Sequence, residues 1–164
     1  MALAAVHPNV LVTRTFSKIY GLAGERVGWA TGAAPLIGAL NRIRGPFNVT
    51  VSGQKAAIAA LGDQAFVDAS REQNRTVRQR FIEEIEALGN YGLRAVPSET
   101  NFVLVLFEGA LSAAAALAGL AERGYAVRHL PGQGLPQALR ITVGHRQHMD
   151  DVTAALREMA EAAR

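Results

Sequence analysis

The sequence predicts an α/β fold in two parts, on three observations. Short stretches rich in Val, Leu and Thr alternate with helical patterns along the chain. A long polar helical pattern starting at Gly62-Asp63 separates a glycine-punctuated first portion from a second one. From that helix onward the order is helix-β-β-α-β-β-α, a compact α/β unit. The expected division falls within the long helix, giving residues 1–65 and 66–164.

Asn9 to Thr15 alternates apolar and polar residues and reads as a strand. A loop with three glycines follows, and Arg26 to Thr31 reads as a second, short strand. Pro35 suits the first turn of a helix running to about Ile43, because its missing N–H is unpaired there in any case. Gly45-Pro46 ends that helix, and Phe47 to Thr50 is expected to be extended. Ser52 to Leu61 is a small, Ala-rich helix. In the long helix Val77, Phe81, Ile85 and Leu88 recur at helical spacing, and Gly89-Asn90 is its stop.

Leu93 to Val96 and Phe102 to Phe107 read as strands joined by Pro97-Ser98-Glu99-Thr100. The second is apolar on both faces and is expected at the centre of a sheet. Leu111 to Arg123 is an Ala-rich helix and Tyr125 to His129 a strand. Leu130 to Gln137, with two prolines and two glycines, reads as a loop before a strand from Leu139 to Val143. The last helix starts near Gln147, with Val152, Leu156, Met159 and Ala163 on one face. Asp150 and Asp151 are expected in its first turn, favourable to the helix dipole.

The 164 residues, 49% of them apolar, suffice for one well-buried domain, with or without an attached segment. The longer apolar runs are broken by Arg, Gly or Pro and none reaches a membrane span. Met1 to Val6 lacks a basic start and is too short for an export signal, so a cytoplasmic location is the default expectation. The absence of cysteine excludes disulfides and thiolate metal sites. The net charge of +3 is modest and its arginines are scattered among few aromatics, which disfavours a nucleic-acid surface.

The first loop carries the chemistry. Thr15 to Gly28 reads T-F-S-K-I-Y-G-L-A-G-E-R-V-G. Lys18 sits just after the strand, Ser17 beside it and Arg26 later in the loop, with Gly21, Gly24 and Gly28 allowing tight turns. A lysine amine able to condense with an aldehyde, near a hydroxyl and a guanidinium able to hold a phosphate dianion, is what pyridoxal phosphate requires. Each residue alone has a plainer reading: an exposed lysine, a turn hydroxyl, and an arginine paired with Glu25.

The S-K-x-x-G-L-A-G-x-R-x-G pattern resembles the cofactor-lysine motif of fold-type I (class I/II) pyridoxal-phosphate-dependent aminotransferases, in particular histidinol-phosphate aminotransferases. N-R-I-R-G-P-F-N-V (Asn41 to Val49) and L-R-I-T-V-G (Leu139 to Gly144) support the narrower match. Thr15 stands where many relatives have Ser or Gly. The resemblance implies the C-terminal half of such a protein: the end of the large cofactor-binding domain, then the small C-terminal α/β domain.

It implies that Lys18 carries the cofactor and moves the substrate α-proton, and that Ser17 and Arg26 hold the cofactor phosphate. Arg140 would bind the amino-acid carboxylate, and Arg128 the substrate phosphate. Both also read as solvent-facing strand arginines. Asn48 and Asn101 could reach the site from loops, although turn asparagines are the commoner reading. Tyr20 could lie near the cofactor or simply pack. His145 and His148 lack a third ligand and make a poor metal site, so no metal is expected. His145 also departs from the family's helix-capping Thr and is expected at the surface.

The implied reaction moves an amino group between histidinol phosphate and 2-oxoglutarate/glutamate in a homodimer. The partners are then a small-molecule amino donor and a 2-oxo acid, with no nucleic acid and no membrane. The family's N-terminal half supplies an aspartate to the pyridine nitrogen, a stacking aromatic, tyrosines and phosphate-binding amides, and none has a counterpart in this chain. Two other outcomes fit the same residues: an aminotransferase or decarboxylase for another amino acid, and a folded module without catalysis that associates with itself or with a further half.

Overall fold

The computed structural model describes residues 2–164, and the chain divides into two compact units, one ending at Arg71 and the other covering Glu72–Arg164. The division falls inside one long helix, α4 (Gln64–Glu86).

The first unit begins with helix α1 (Ala2–Val6) and an antiparallel ribbon of β1 (Leu11–Thr15) and β2 (Gly28–Gly32). Leu11 pairs with Gly32 and Thr15 with Gly28. Phe16 N–H then donates to the Val27 carbonyl at 3.0 Å, carrying the pairing one step past the strands. Helix α2 (Ala34–Ile43) has Pro35 in its first turn, as its sequence predicts. Thr50 caps α3 (Val51–Gly62), its hydroxyl accepting from Gly53 N at 3.0 Å. Asp63 caps α4 in the same way, accepting from Phe66 N at 3.0 Å. The core of this unit is small: Phe16, Val27 and Ala57 are buried, with Tyr20, Leu22 and Val49 packed around them.

The second unit is a four-stranded antiparallel sheet in the order β3-β4-β6-β5. Its strands are β3 (Leu93–Val96), β4 (Phe102–Phe107), β5 (Arg128–Leu130) and β6 (Leu135–Thr142). Helices α5 (Ala113–Glu122) and α6 (Arg146–Ala162) complete it. Strand period two places Leu93, Ala95, Val103, Val105, Leu139 and Ile141 on one face. They form a single core with Phe81 and Ile85 from α4, which ends at Glu86 ahead of the expected stop, Leu88 from the turn that follows it, Leu120 from α5, and Val152 and Leu156 from α6. The opposite face carries Arg94, Phe102, Leu104, Arg128 and Arg140. β4 is paired on both sides, which explains its apolar character.

Several boundaries differ from the sequence expectation. Phe47 to Thr50 is not extended at its start: Phe47 lies in a turn with φ +53°. The stretch Tyr125 to Val127 leaves the sheet, and β5 starts only at Arg128, because the Tyr125 hydroxyl is drawn to Asp151 on α6 at 2.9 Å. The expected loop from Leu130 to Gln137 is mostly ordered. Pro131–Gln133 forms a 3₁₀ turn closed by Gly134 at φ +75°, and β6 already begins at Leu135. Helix α6 begins at Arg146, so Asp150 and Asp151 fall beyond its first turn. Asp150 instead meets Arg80 at 3.2 Å and Arg146 at 3.7 Å. Among the described residues no helix is long and apolar enough to cross a membrane.

Candidate active site

The loop from Phe16 to Val27 is held at both ends. Phe16 pairs with Val27, Leu22 N–H donates back to the Phe16 carbonyl at 3.0 Å, and Gly21 N–H to the Lys18 carbonyl at 2.9 Å. Gly21 takes φ +69°, a left-handed geometry that suits glycine. Because Phe16 and Val27 face each other, Ser17 and Arg26 are the next residues out on the two sides. Both line one surface cavity of about 740 Å³, with Arg14, Thr15, Tyr20 and Trp29.

Arg26 adopts φ +54°, and its guanidinium donates to the Ala23 carbonyl at 2.8 Å. The alternative partner, Glu25, accepts from the Ser52 hydroxyl at 3.4 Å. A non-glycine residue held left-handed is a locally strained choice. It leaves the exposed guanidinium on the cavity rim rather than in a surface ion pair. Lys18 is exposed, one residue from Ser17, and is not enclosed by neighbouring side chains. The Thr15 hydroxyl accepts from Ser17 N–H at 3.0 Å and fixes the backbone at the start of the loop.

Asn48 lies in the turn after α2. Its side-chain oxygen accepts from Arg44 at 3.0 Å, while the Arg44 Nε–H donates to Asn41 at 2.9 Å. Arg44 therefore ties Asn48 to the end of α2. Asn48, Arg44 and Trp29 line a second cavity of about 630 Å³ in the same unit.

In the second unit, Arg128 and Arg140 are direct cross-strand partners. Like charges at such positions repel across roughly 5 Å. No described carboxylate lies within ion-pair range of either. The Arg140 guanidinium carbon stands 5.1 Å from the centre of the Phe102 ring, a cation–π contact. Its Nε is buried and has no hydrogen-bond partner. Buried donors are nearly always satisfied, so an orphan beside a second arginine fits an anionic ligand.

The sequence reading did not single out Phe102 or Arg44. The only signal for Arg44 was its spacing of three from Asn41 and four from Asn48, and for Phe102 the strand register, which sequence alone does not supply. The remaining expected residues are peripheral. Asn101 uses its carbonyl to accept from Val143 N–H at 2.9 Å. Tyr20 packs with Phe16, ring centres 4.9 Å apart. His145 and His148 meet edge to face at 5.9 Å, both exposed, and no group of metal-ligating side chains is present among the described residues.

Ser17 and Arg26 bring a hydroxyl and a guanidinium to one cavity, and Lys18, next to Ser17 on the same loop, does not line it. The donor set of that loop fits a phosphorylated aldehyde such as pyridoxal phosphate. Comparison with known proteins points the same way. The chain is 62% identical over 162 residues to histidinol-phosphate aminotransferase of Erythrobacter litoralis (strain HTCC2594), covering 99% of this chain and 44% of that relative. It is 55% identical over 163 residues to the enzyme of the same name from Zymomonas mobilis subsp. mobilis, again covering 99% and 44%. The chain thus spans less than half the length of these curated relatives. The solved histidinol-phosphate aminotransferase of Sinorhizobium meliloti, in complex with pyridoxal-5'-phosphate, superposes with a TM-score of 0.82 at 34% identity. That match covers 97% of this chain and 43% of the other. The model of the family described as aminotransferase class I and II matches residues 1–156, and the chain belongs to that family.

Proposed function

We propose that this chain is the cofactor-lysine and substrate-arginine portion of a pyridoxal-phosphate-dependent aminotransferase. Its reaction would be amino-group exchange between histidinol phosphate and 2-oxoglutarate/glutamate in histidine biosynthesis. The observation that carries the proposal is that Ser17 and Arg26 line one cavity on the closed loop that also carries Lys18. The names of the relatives supply the substrate.

Ser17 and Arg26 would hold the cofactor phosphate, the first by its hydroxyl and the second by its planar fork of N–H donors. When bound, pyridoxal phosphate supplies a carbonyl carbon for the amino group and a ring that draws electrons from the substrate α-carbon. Lys18 is the one amine of the constellation. Its role would be to take the proton from the substrate α-carbon and return it on the cofactor side, as general base and then acid. Arg140, backed by Phe102, would orient the amino-acid carboxylate, and Arg128 the substrate phosphate. Asn48, held by Arg44, would present its amide to the bound substrate. The domain roles follow: residues 1–65 would close the large cofactor-binding domain and 66–164 form the small one. We place the complete protein in the cytoplasm as a homodimer, on the family resemblance.

The test is titration of the purified chain with pyridoxal phosphate, followed by borohydride reduction and peptide mass spectrometry. A saturable visible band, with the label on Lys18 and lost in Lys18→Ala, is the expected result. Label spread over Lys55 and other amines, unchanged in the variant, would overturn the assignment.

A further inference from the structure

Arg26 is held left-handed, and the reason lies across the loop on helix α3. That helix buries Gly53 and Ala57 and leaves Val51, Ile58 and Leu61 exposed. Its small residues let the loop approach the first helical turn. A Cβ on Gly53 would stand 2.9 Å from Val27 Cγ2, 3.0 Å from Thr50 Oγ1 and 3.4 Å from the Glu25 carboxylate oxygen Oε2. Both chain neighbours of Arg26, Glu25 and Val27, therefore rest on the same turn of α3.

A chain of donors runs through that turn and ends on Glu25. Gly53 N–H donates to Thr50 Oγ1 at 3.0 Å, and the Thr50 and Ser52 hydroxyls meet at 3.0 Å. The Ser52 hydroxyl donates to Glu25 Oε2 at 3.4 Å. A hydroxyl has one proton, so with that of Ser52 directed at Glu25, Thr50 is the donor between the two. The half-buried carboxylate also lies beside the helix end where N–H groups are unpaired and negative charge is favoured. On the other side of Arg26, Val27 is buried and its carbonyl accepts from Phe16 N–H at 3.0 Å. With residues 25 and 27 both fixed, the residue between them takes φ +54°. An arginine keeps that geometry only where its surroundings impose it.

We propose that Glu25 is a positioning residue for Arg26. Docked on the first turn of α3, it holds Arg26 left-handed, with the guanidinium at the cavity that Ser17 also lines. The docking has a second effect. Glu25 precedes Arg26 directly, and an undocked Glu25 would pair with the guanidinium and occupy the donors that an anion needs. With Glu25 bound to Ser52, the Arg26 fork donates to the Ala23 carbonyl at 2.8 Å and to no described carboxylate. The inference rests on the reading of Ser17 and Arg26 as the phosphate-holding pair and adds the residue that sets it.

The experiment compares two probes on the purified chain, pyridoxal 5'-phosphate and pyridoxal. They share the aldehyde that meets Lys18 and differ in the phosphate, so the ratio of their apparent affinities isolates the phosphate contacts. Glu25→Ala should lower that ratio ~10-fold or more, the factor that one hydrogen bond to a charged group contributes. Ser52→Ala, which undocks Glu25, should lower it in the same direction. Affinity for pyridoxal should stay unchanged in both. Glu25→Gln keeps an acceptor for Ser52 and should restore the ratio of the unaltered chain. A second reading does not pass through Lys18. Inorganic phosphate should shift the Arg26 Nε–H resonance in the unaltered chain and in Glu25→Gln, and shift it less in Glu25→Ala.

Equal losses for both probes would mean that Glu25 only supports the fold, and would overturn the proposal. So would an unchanged ratio in Glu25→Ala, or a loss that Glu25→Gln does not repair. An unaltered chain that binds both probes alike, with an Arg26 resonance indifferent to phosphate, would instead remove the phosphate reading of Ser17 and Arg26 and this inference with it.

Discussion

Arg78 is the one charged side chain that is almost fully buried among the described residues, at 6% exposure. It donates to the Thr100 carbonyl at 3.0 Å and to Glu99 at 2.7 Å. Glu99 is 95% exposed, so water screens that ion pair and little stability resides there. The Thr100 carbonyl keeps a second donor, Asn74, at 3.2 Å. Arg78→Met should therefore lose only about 1 kcal/mol, read by urea unfolding, because methionine refills the apolar volume. A loss well above that would mean the guanidinium organises the whole turn before β4. Gly28 is less forgiving. A Cβ there would lie 2.7 Å from the Arg14 carbonyl oxygen, which belongs to backbone and cannot swing away. Gly28→Val should destabilise the first unit by about 1–3 kcal/mol, visible as an earlier unfolding of the Trp29 signal. The meeting of Ser17 and Arg26 at one cavity was legible in the sequence because both sit within one short loop. The Phe102 ring beneath Arg140 was not, because that contact depends on which residues β4 and β6 set side by side.

The helices differ in what their apolar residues do. Ile85 on α4 is completely buried, and Ile85→Ala should cost about 2–5 kcal/mol in chemical denaturation. Ile58 on α3 carries the same side chain yet is exposed at 71%, and Ile58→Glu should change the stability of the chain alone by no more than about 0.5 kcal/mol. Periodicity predicted the first case and was silent on the second, since composition marks a residue as apolar without saying what lies against it. Strands β3 and β4 were legible as short runs bounded by turn residues, β4 as one that is apolar on both faces. β6 was not legible at its start, where Pro136 and Gln137 read as loop. Pro136 fits there because its carbonyl accepts from His129 Nε2 at 2.7 Å across the irregular β5–β6 pairing. The start of α6 was legible to within one residue, but the place of Asp150 and Asp151 in its first turn was not, because their partners Arg80, Arg146 and Tyr125 are set by the fold.

At the scale of the molecule, the two units are unequally built. The core of the second unit joins a sheet face to three helical segments, while that of the first rests on Phe16, Val27 and Ala57. Thermal unfolding should therefore not be two-state: Trp29 emission should change at a lower temperature than far-ultraviolet circular dichroism. Coincident curves would contradict this. One contribution to the alkaline limb comes from the second unit. The hydrogen bond to Asp151, followed by burial and by the charge of Asp151, raises the Tyr125 pKa above its ordinary value. The folded chain keeps this proton at a pH where the unfolded chain, near about 10, has begun to lose it. The contribution to stability is complete below that pH and disappears as pH rises through the folded value. Tyr125→Phe should flatten that decline in a pH series of denaturation midpoints. The difference in packing between the two units was not legible in the sequence, because it depends on what covers each surface. Helix α3 turns that difference into a practical warning about mutational maps. A substitution library sorted by protease resistance of this chain would score positions 51, 58 and 61 as permissive. The same library would score positions 53 and 57, buried in the same helix, as constrained, so one helix carries two opposite tolerances.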